Sequence, residues 1–111
     1  MKHQTLKENK DFRRLYYTGK SKADSCLVTY AAKSRKSGCR YGITTSKKIG
    51  GAVERNRARR VIRAAYDALY PEIRGNWDFV FVARGRTGRV KMQEVLSQMR
   101  KQLRVLGVID G

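Results

Sequence analysis

The middle of the chain reads Ser46-Lys47-Lys48-Ile49-Gly50-Gly51-Ala52-Val53-Glu54-Arg55-Asn56-Arg57-Ala58-Arg59-Arg60-Val61-Ile62-Arg63. Within and just beyond this stretch, small and apolar residues recur at the spacing of an amphipathic helix. These residues are Ala58, Val61, Ile62, Ala65 and Leu69. Pro71 ends the pattern, because the residue before a proline is disfavoured in helical geometry. We therefore predict a helix that follows Gly50-Gly51 and packs one face on a core.

The remaining positions of this helix are almost all cationic. Only Glu54 and Asp67 are acidic between Val53 and Leu69, although a helix stabilised by its own ion pairs would alternate the signs of its charges. A solvated face that only aids solubility is the alternative interpretation. We favour phosphate binding, because guanidinium groups form bidentate hydrogen bonds with phosphate. The candidate residues on the helix are Arg55, Asn56, Arg57, Arg59, Arg60 and Arg63, with Lys47 and Lys48 before it.

The overall charge also predicts a polyanionic partner. The chain of 111 residues has 26 Lys plus Arg against 9 Asp plus Glu, a formal net charge of +17. Nucleic acid fits this excess better than a membrane surface, since no apolar run approaches the roughly 20 residues of a membrane-spanning helix. The first residues also lack the apolar segment of a secretory signal. We expect a cytoplasmic protein with no membrane partner.

The N-terminal half predicts a helix followed by strands. Thr5 to Glu8 has the form of a capping box, and a helix is expected to run from there, or from Asn9, to Gly19. We predict strands over residues 25–33 and 39–46, paired antiparallel through a polar loop at residues 34–38, with space for a short strand at 44–49. Gly42 would let another group approach the backbone closely. Cys26 and Cys39 then lie in neighbouring strands, most simply as buried free thiols.

The C-terminal half supplies the rest of the core. Residues 77–84 form a nearly continuous apolar run, which is typical of a central strand that is covered on both faces. A basic loop at residues 85–89 leads to a closing helix whose apolar positions run from Met92 to Leu106. The length fits one domain over residues 1–111, and the simplest architecture is an α+β sandwich.

Three aromatic residues lie outside the strongest core pattern. Phe12 and Tyr16 are one helical turn apart, and Tyr30 is in the first predicted strand. They could line a cleft in which unpaired bases stack, or they could be ordinary core residues, and the sequence favours neither. No catalytic or metal site is predicted, because His3 is the only histidine, in a terminus that we expect to be frayed, and the acidic residues are scattered.

The stretch at residues 46–63 closely resembles the signature of the bacterial ribonuclease P protein component. The resemblance extends to Asp11-Phe12, Gly19, Val28-Thr29-Tyr30 and residues 78–84, and so covers nearly the whole chain. It implies a protein cofactor of a catalytic RNA, which removes the 5′ leader of precursor tRNA by hydrolysis with Mg²⁺. The protein itself would bind no metal and supply no catalytic residue.

The resemblance also assigns roles to residues and a topology to the fold. It places the RNA subunit against Lys47, Lys48, Arg55, Asn56, Arg57, Arg59, Arg60 and Arg63, and the leader of precursor tRNA against Phe12, Tyr16 and Tyr30. Tyr16 departs from the more usual Phe but keeps a stacking face. The implied fold is an αβββαβα sandwich with a central, mainly antiparallel sheet and a left-handed β-α-β crossover through the basic helix. The alternative function is a structural, ribosomal-type RNA binder, which would need the basic helix but no aromatic cleft.

Overall fold

The computed structural model describes residues 3–110, which form five strands and three α-helices. In chain order these are β1 (Gln4–Thr5), α1 (Asn9–Thr18), β2 (Lys20–Ala23), β3 (Leu27–Lys33), β4 (Arg40–Thr44), α2 (Ala52–Leu69), β5 (Trp77–Ala83) and α3 (Met92–Val105). Short 3-10 turns at Lys47–Ile49 and Tyr70–Glu72 flank α2. The predicted α+β architecture is confirmed, as are the positions of the three helices.

The strands form one sheet in the order β1-β4-β5-β3-β2, so β5 is central, as its apolar run predicted. Phe79, Val80 and Phe81 are completely buried, which requires cover on both faces of this strand. β5 pairs antiparallel with β3 and parallel with β4, and the outer pairs are antiparallel β2-β3 and parallel β1-β4. The sheet is therefore mixed, and most of its register pairs are antiparallel, in agreement with the prediction of a mainly antiparallel sheet.

The predicted pairing of β3 with β4 is wrong, because β5 lies between them. Their connection is tied to the residue before β5: Ser34 N–H donates to the Asn76 carbonyl at 2.9 Å, and Gly38 N–H donates to the Asn76 side chain at 2.9 Å. Cys26 and Cys39 consequently do not lie on neighbouring strands. Both are buried free thiols, as predicted, and burial raises the pKa of the Cys39 thiol.

The short additional strand that we predicted at residues 44–49 does not form there. Residues 47–49 form a 3-10 turn, whereas Lys20–Ala23 forms β2 at the sheet edge. This polar segment has no apolar alternation that would mark a strand. The predicted capping box is absent as well, because Thr5 belongs to β1 and α1 begins after Glu8 without a side-chain cap.

The two faces of the sheet are covered unequally. α2 and α3 pack on the face that carries Phe79 and Phe81, and they enclose the larger core. α1 covers the opposite face through Leu15, which packs against Leu6 and Val80. Since α1 is a single short helix, residues at its margin on that face remain partly exposed.

Candidate nucleic-acid interface

The side of α2 that was predicted to pack on the core does so. Its buried residues are Ala58, Ile62, Ala65, Tyr66 and Leu69, which place one stripe of the helix in the core. The side chains of Asn56, Arg57, Arg60 and Arg63 are exposed, and those of Arg55 and Arg59 are partly exposed. A cationic surface therefore runs along the outward side of the helix, and we call these six residues the α2 basic face.

Two arginines of the α2 basic face are held by neutral acceptors. Arg55 donates to the Gly50 carbonyl at 3.0 Å, and Arg59 donates to the Thr45 hydroxyl at 2.8 Å and to the Asn56 side-chain oxygen at 3.1 Å. Within residues 3–110, Arg57 and Arg60 form no ion pair with an acidic side chain. The face thus presents guanidinium groups whose charge no acidic side chain of the described residues neutralises, and hydrogen bonds orient those of Arg55 and Arg59.

The segment before α2 combines two exposed lysines with a glutamate that lies against its glycine backbone. Lys47 and Lys48 are exposed in the 3-10 turn, beside the start of the helix. Gly50 has a φ of 140°, which favours glycine, and a Cβ there would overlap the Glu54 carboxylate. Since that carboxylate lies against Gly50, it opposes an anion at this point. The two lysines, rather than the glycine backbone, carry the positive charge of the segment.

The three predicted aromatic residues lie together on the face of the sheet that α1 covers. The Tyr16 and Tyr30 rings meet edge to face, with centroids 5.0 Å apart, and Tyr16 is 41% exposed. The Phe12 ring lies directly on Gly42, where a Cβ would overlap it, so the predicted close approach at this glycine is confirmed. Phe12 and Tyr30 are half-buried. The three residues form a partly open aromatic surface, which we call the aromatic cleft.

A buried ion-pair network, which was not predicted from the sequence, holds α1 on the sheet. Asp78 on β5 is completely buried and accepts hydrogen bonds from Arg40 on β4, at 2.9 and 3.1 Å, and from Arg14 on α1. These bonds to Asp78 raise the pKa of Arg40. Asp11 lies 3.7 Å from the same Arg40 guanidinium. The one sequence feature that pointed to this network was Asp78, a charged residue inside an otherwise apolar strand.

The terminal histidine is packed rather than frayed. His3 pairs with Asp67 at 2.8 Å and lies against Tyr70, with ring centroids 4.4 Å apart. In the part of the chain that the structure describes, no three His, Cys, Asp or Glu side chains come together in a way that could hold a metal ion. Among residues 3–110, no helix has both the length and the apolar run needed to cross a bilayer.

Comparisons with known proteins agree with this geometry. A family model described as Ribonuclease P matches residues 1–107. The ribonuclease P protein component of Pelotomaculum thermopropionicum is 41% identical over 99 residues, which are 89% of this chain and 88% of that protein. That of Clostridium botulinum strain Loch Maree is 34% identical over 111 residues, which are 99% and 100% of the two chains.

Solved structures show the same fold. The Staphylococcus aureus RNase P protein superposes with a TM-score of 0.84 at 29% identity, and the match covers 98% of this chain and 100% of that one. The Thermotoga maritima RNase P protein gives a TM-score of 0.78 at 26% identity, with 97% and 99% covered. These matches support the ribonuclease P interpretation and not the ribosomal-type alternative. By its sequence and its fold, the chain belongs to the ribonuclease P protein family.

Proposed function

We propose that this chain is the cytoplasmic protein subunit of a ribonuclease P holoenzyme. It binds the catalytic RNA through the α2 basic face and the 5′ leader of precursor tRNA through the aromatic cleft. The RNA subunit, with Mg²⁺, then hydrolyses the phosphodiester bond that joins the leader to the mature tRNA. The protein contributes to this reaction by binding and positioning the two RNAs.

One observation carries the proposal: the two surfaces lie on opposite faces of the same sheet. Phe79 and Phe81 point toward α2, whereas Val80, between them, points toward α1. A ligand in the aromatic cleft would therefore occupy a different face from a ligand on α2, and the two would come closest where Arg59 and Arg63 line a pocket with Gly42. This arrangement suits a protein that must hold two RNA molecules at once.

The chemistry of each surface fits a different form of RNA. The α2 basic face, with Lys47 and Lys48 beside it, offers cations to the phosphates of a folded RNA, which would release counterions on binding. The aromatic cleft offers ring faces, and bases can stack on these only where the RNA is single-stranded. We therefore assign the catalytic RNA to α2, and the unpaired leader to Phe12, Tyr16 and Tyr30.

The cleavage chemistry belongs to the RNA subunit in this proposal. Hydrolysis by protein groups would require a general base or a pair of metal-binding carboxylates. Among the described residues, no three His, Cys, Asp or Glu side chains come together as a metal site, and Asp78, the most buried acid of the network, is occupied by two arginines. This supports a non-catalytic protein, with Mg²⁺ bound in the holoenzyme by the RNA.

Reconstitution tests the proposal directly. Precursor tRNA is incubated with Mg²⁺ and the protein alone, the RNA subunit of a related bacterium alone, or both together. We expect no cleavage by the protein alone, and we expect the protein to raise cleavage by the RNA at limiting Mg²⁺. Cleavage by the protein alone, or no effect of the protein on the RNA, would contradict the proposal.

A charge-removal experiment tests the assignment of α2. Replacing Arg57 and Arg60 together by Ala should weaken binding to the RNA subunit and reduce the slope of log affinity against log salt by about 2, one for each lost phosphate contact. Arg104→Ala is the control for a charge lost elsewhere: it removes one exposed arginine from the end of α3 and should leave the slope unchanged. An unchanged salt slope in the double variant would count against α2 as the RNA surface.

A further inference from the structure

A groove with an apolar floor runs along the α2 basic face, beside the start of α3. Val61 and Ala64 on α2 and Met92 on α3 line it, and Arg57 and Arg60 flank it, around a volume of about 250 Å³. The four α2 residues occupy positions i, i+3, i+4 and i+7 and so share one side of the helix. Phosphate binding needs only the two arginines. Val61 also packs against the larger core, whereas Ala64 is exposed, so part of the apolar floor faces solvent.

The groove is held in shape by the loop that connects β5 to α3. Thr87 in this loop is completely buried, and its hydroxyl donates to the Cys26 carbonyl at 2.6 Å and accepts from Arg84 N–H at 2.8 Å. Gly88 packs on the backbone of α2, where a Cβ would come within 3.1 Å of the Glu54 carbonyl oxygen. The start of α3 is therefore fixed against α2, and the groove exists before any ligand binds.

We propose that this groove receives one unpaired base of the RNA that binds α2, an inference that rests on the proposed function. The planes of the Arg57 and Arg60 guanidinium groups can stack on a base, and they can reach the adjacent phosphates. The Met92 thioether is polarizable and adapts to the edge of an aromatic ring. A cavity of about 150 Å³ accommodates benzene, so this open groove is large enough for a single base.

The charge of the groove favours a nucleotide over an apolar segment of a protein partner. Both flanking arginines are exposed, and within residues 3–110 neither is neutralised by an acidic side chain. An apolar side chain inserted between them would leave both charges without a partner, whereas a nucleotide brings its own anion. The base must be unpaired, because a base inside an RNA helix does not offer its face.

Filling the groove without changing its charge tests the proposal. Ala64→Leu places a branched aliphatic side chain on the floor, and Ala68→Leu is the matched control, one turn along the same helix and also exposed. Binding of each variant to the RNA subunit is measured across a range of salt concentrations, after a thermal melt shows that the variant is folded. We expect Ala64→Leu to lose about tenfold in affinity with an unchanged salt slope, because it removes base stacking and no ionic contact. Ala68→Leu should bind like the wild type.

Chemical probing of the same complexes identifies the base. A reagent that modifies unpaired bases should show one nucleotide that is protected by the wild type and by Ala68→Leu, and that is reactive again with Ala64→Leu. Tight binding of Ala64→Leu with an unchanged protection pattern would overturn the groove proposal alone. A wild-type protein that fails to bind the RNA subunit would overturn the proposed function, and the groove proposal with it.

Discussion

Replacing Asp78 by Asn should release α1 from the sheet while leaving α2 in place. Asp78 is completely buried on the central strand, and its carboxylate accepts hydrogen bonds from Arg14 on α1 and from Arg40 on β4. Asn has nearly the same shape but no charge, and one of its two polar atoms is a donor. Among the described residues, the substitution would therefore leave Arg14 without a counter-charge beneath α1, and it would leave Arg40 only the more distant Asp11 carboxylate, at 3.7 Å.

The expected cost follows from the burial of the three groups. Removing one partner of a buried ion pair typically costs about 3–5 kcal/mol, because the remaining charge stays desolvated. The side chains of Arg14 and Arg40 are 23% and 16% exposed, so water can partly solvate them after the change. We therefore expect the lower end, about 3 kcal/mol in the free energy of unfolding, or roughly 10–15 °C in Tm for a chain of this length.

Two measurements on the variant separate a local effect from a global one. Urea denaturation gives the loss in the free energy of unfolding. Binding assays with the holoenzyme, at a temperature where the variant is folded, give its preference for precursor tRNA over mature tRNA. That preference should fall, because α1 carries Phe12 and Tyr16, whereas affinity for the RNA subunit should hold, because α2 is anchored in the core on the opposite face.

Asp110→Asn is the matched control. Asp110 pairs with Arg74 at 2.7 Å, but both side chains are 74% exposed, so solvent screens the interaction and the stability should change little. Equal losses in the free energy of unfolding for Asp78→Asn and Asp110→Asn would refute the role given to the Asp78 network. So would a loss of affinity for the RNA subunit as large as the loss of preference for precursor tRNA in Asp78→Asn.

Three further substitutions test other parts of the structure. Phe12→Ala should reduce holoenzyme affinity for precursor tRNA by about 1–3 kcal/mol and spare mature tRNA, since only the former has a leader to stack; equal losses would contradict the aromatic cleft. Gly42→Ala should displace the Phe12 ring and reduce the same preference, by about 1 kcal/mol or more, with RNA-subunit binding preserved. Tyr66→Phe should leave stability unchanged or raise it by about 1 kcal/mol in urea denaturation, because the buried Tyr66 hydroxyl has no hydrogen-bond partner within the described chain. Burial also raises the pKa of Tyr66, so the wild type should lose stability as the pH rises above about 10, where an unfolded tyrosine ionises, and Tyr66→Phe should lose less.

The elements that could be predicted from the sequence are those whose pattern is local. α2 follows from the spacing of Ala58, Ile62 and Leu69, and the central position of β5 follows from an apolar run that needs cover on both faces. The sequence could predict that some group approaches Gly42 closely, because a glycine inside a strand often marks such a contact. It could not identify Phe12 as that group. The exposed side of α2 was predictable for the same reason, because its residues occupy one helix face. The sequence alone left open whether Phe12, Tyr16 and Tyr30 form a cleft or ordinary core.

The features that were missed depend on contacts distant in sequence. A short polar loop between two strands favours a hairpin, and nothing near residues 34–38 shows that β5 inserts between β3 and β4. β2 is polar because it forms a sheet edge, so it lacks the alternation by which strands are recognised. Asp78 finds partners that lie 64 and 38 residues earlier in the chain, and no spacing rule connects them.

The strands β4 and β5 connect the α2 basic face and the aromatic cleft mechanically. α2 is the connection between these parallel neighbours, so both ends of the helix that carries the basic face are covalently continuous with them. The same two strands hold α1, since Gly42 on β4 receives the Phe12 ring and Asp78 on β5 receives Arg14. A close-packed sheet transmits such constraints without a flexible linker. In the proposed holoenzyme, the sheet itself would fix the leader relative to the catalytic RNA. A substitution that loosens α1 should then change where the leader lies before it changes how tightly the RNA subunit binds.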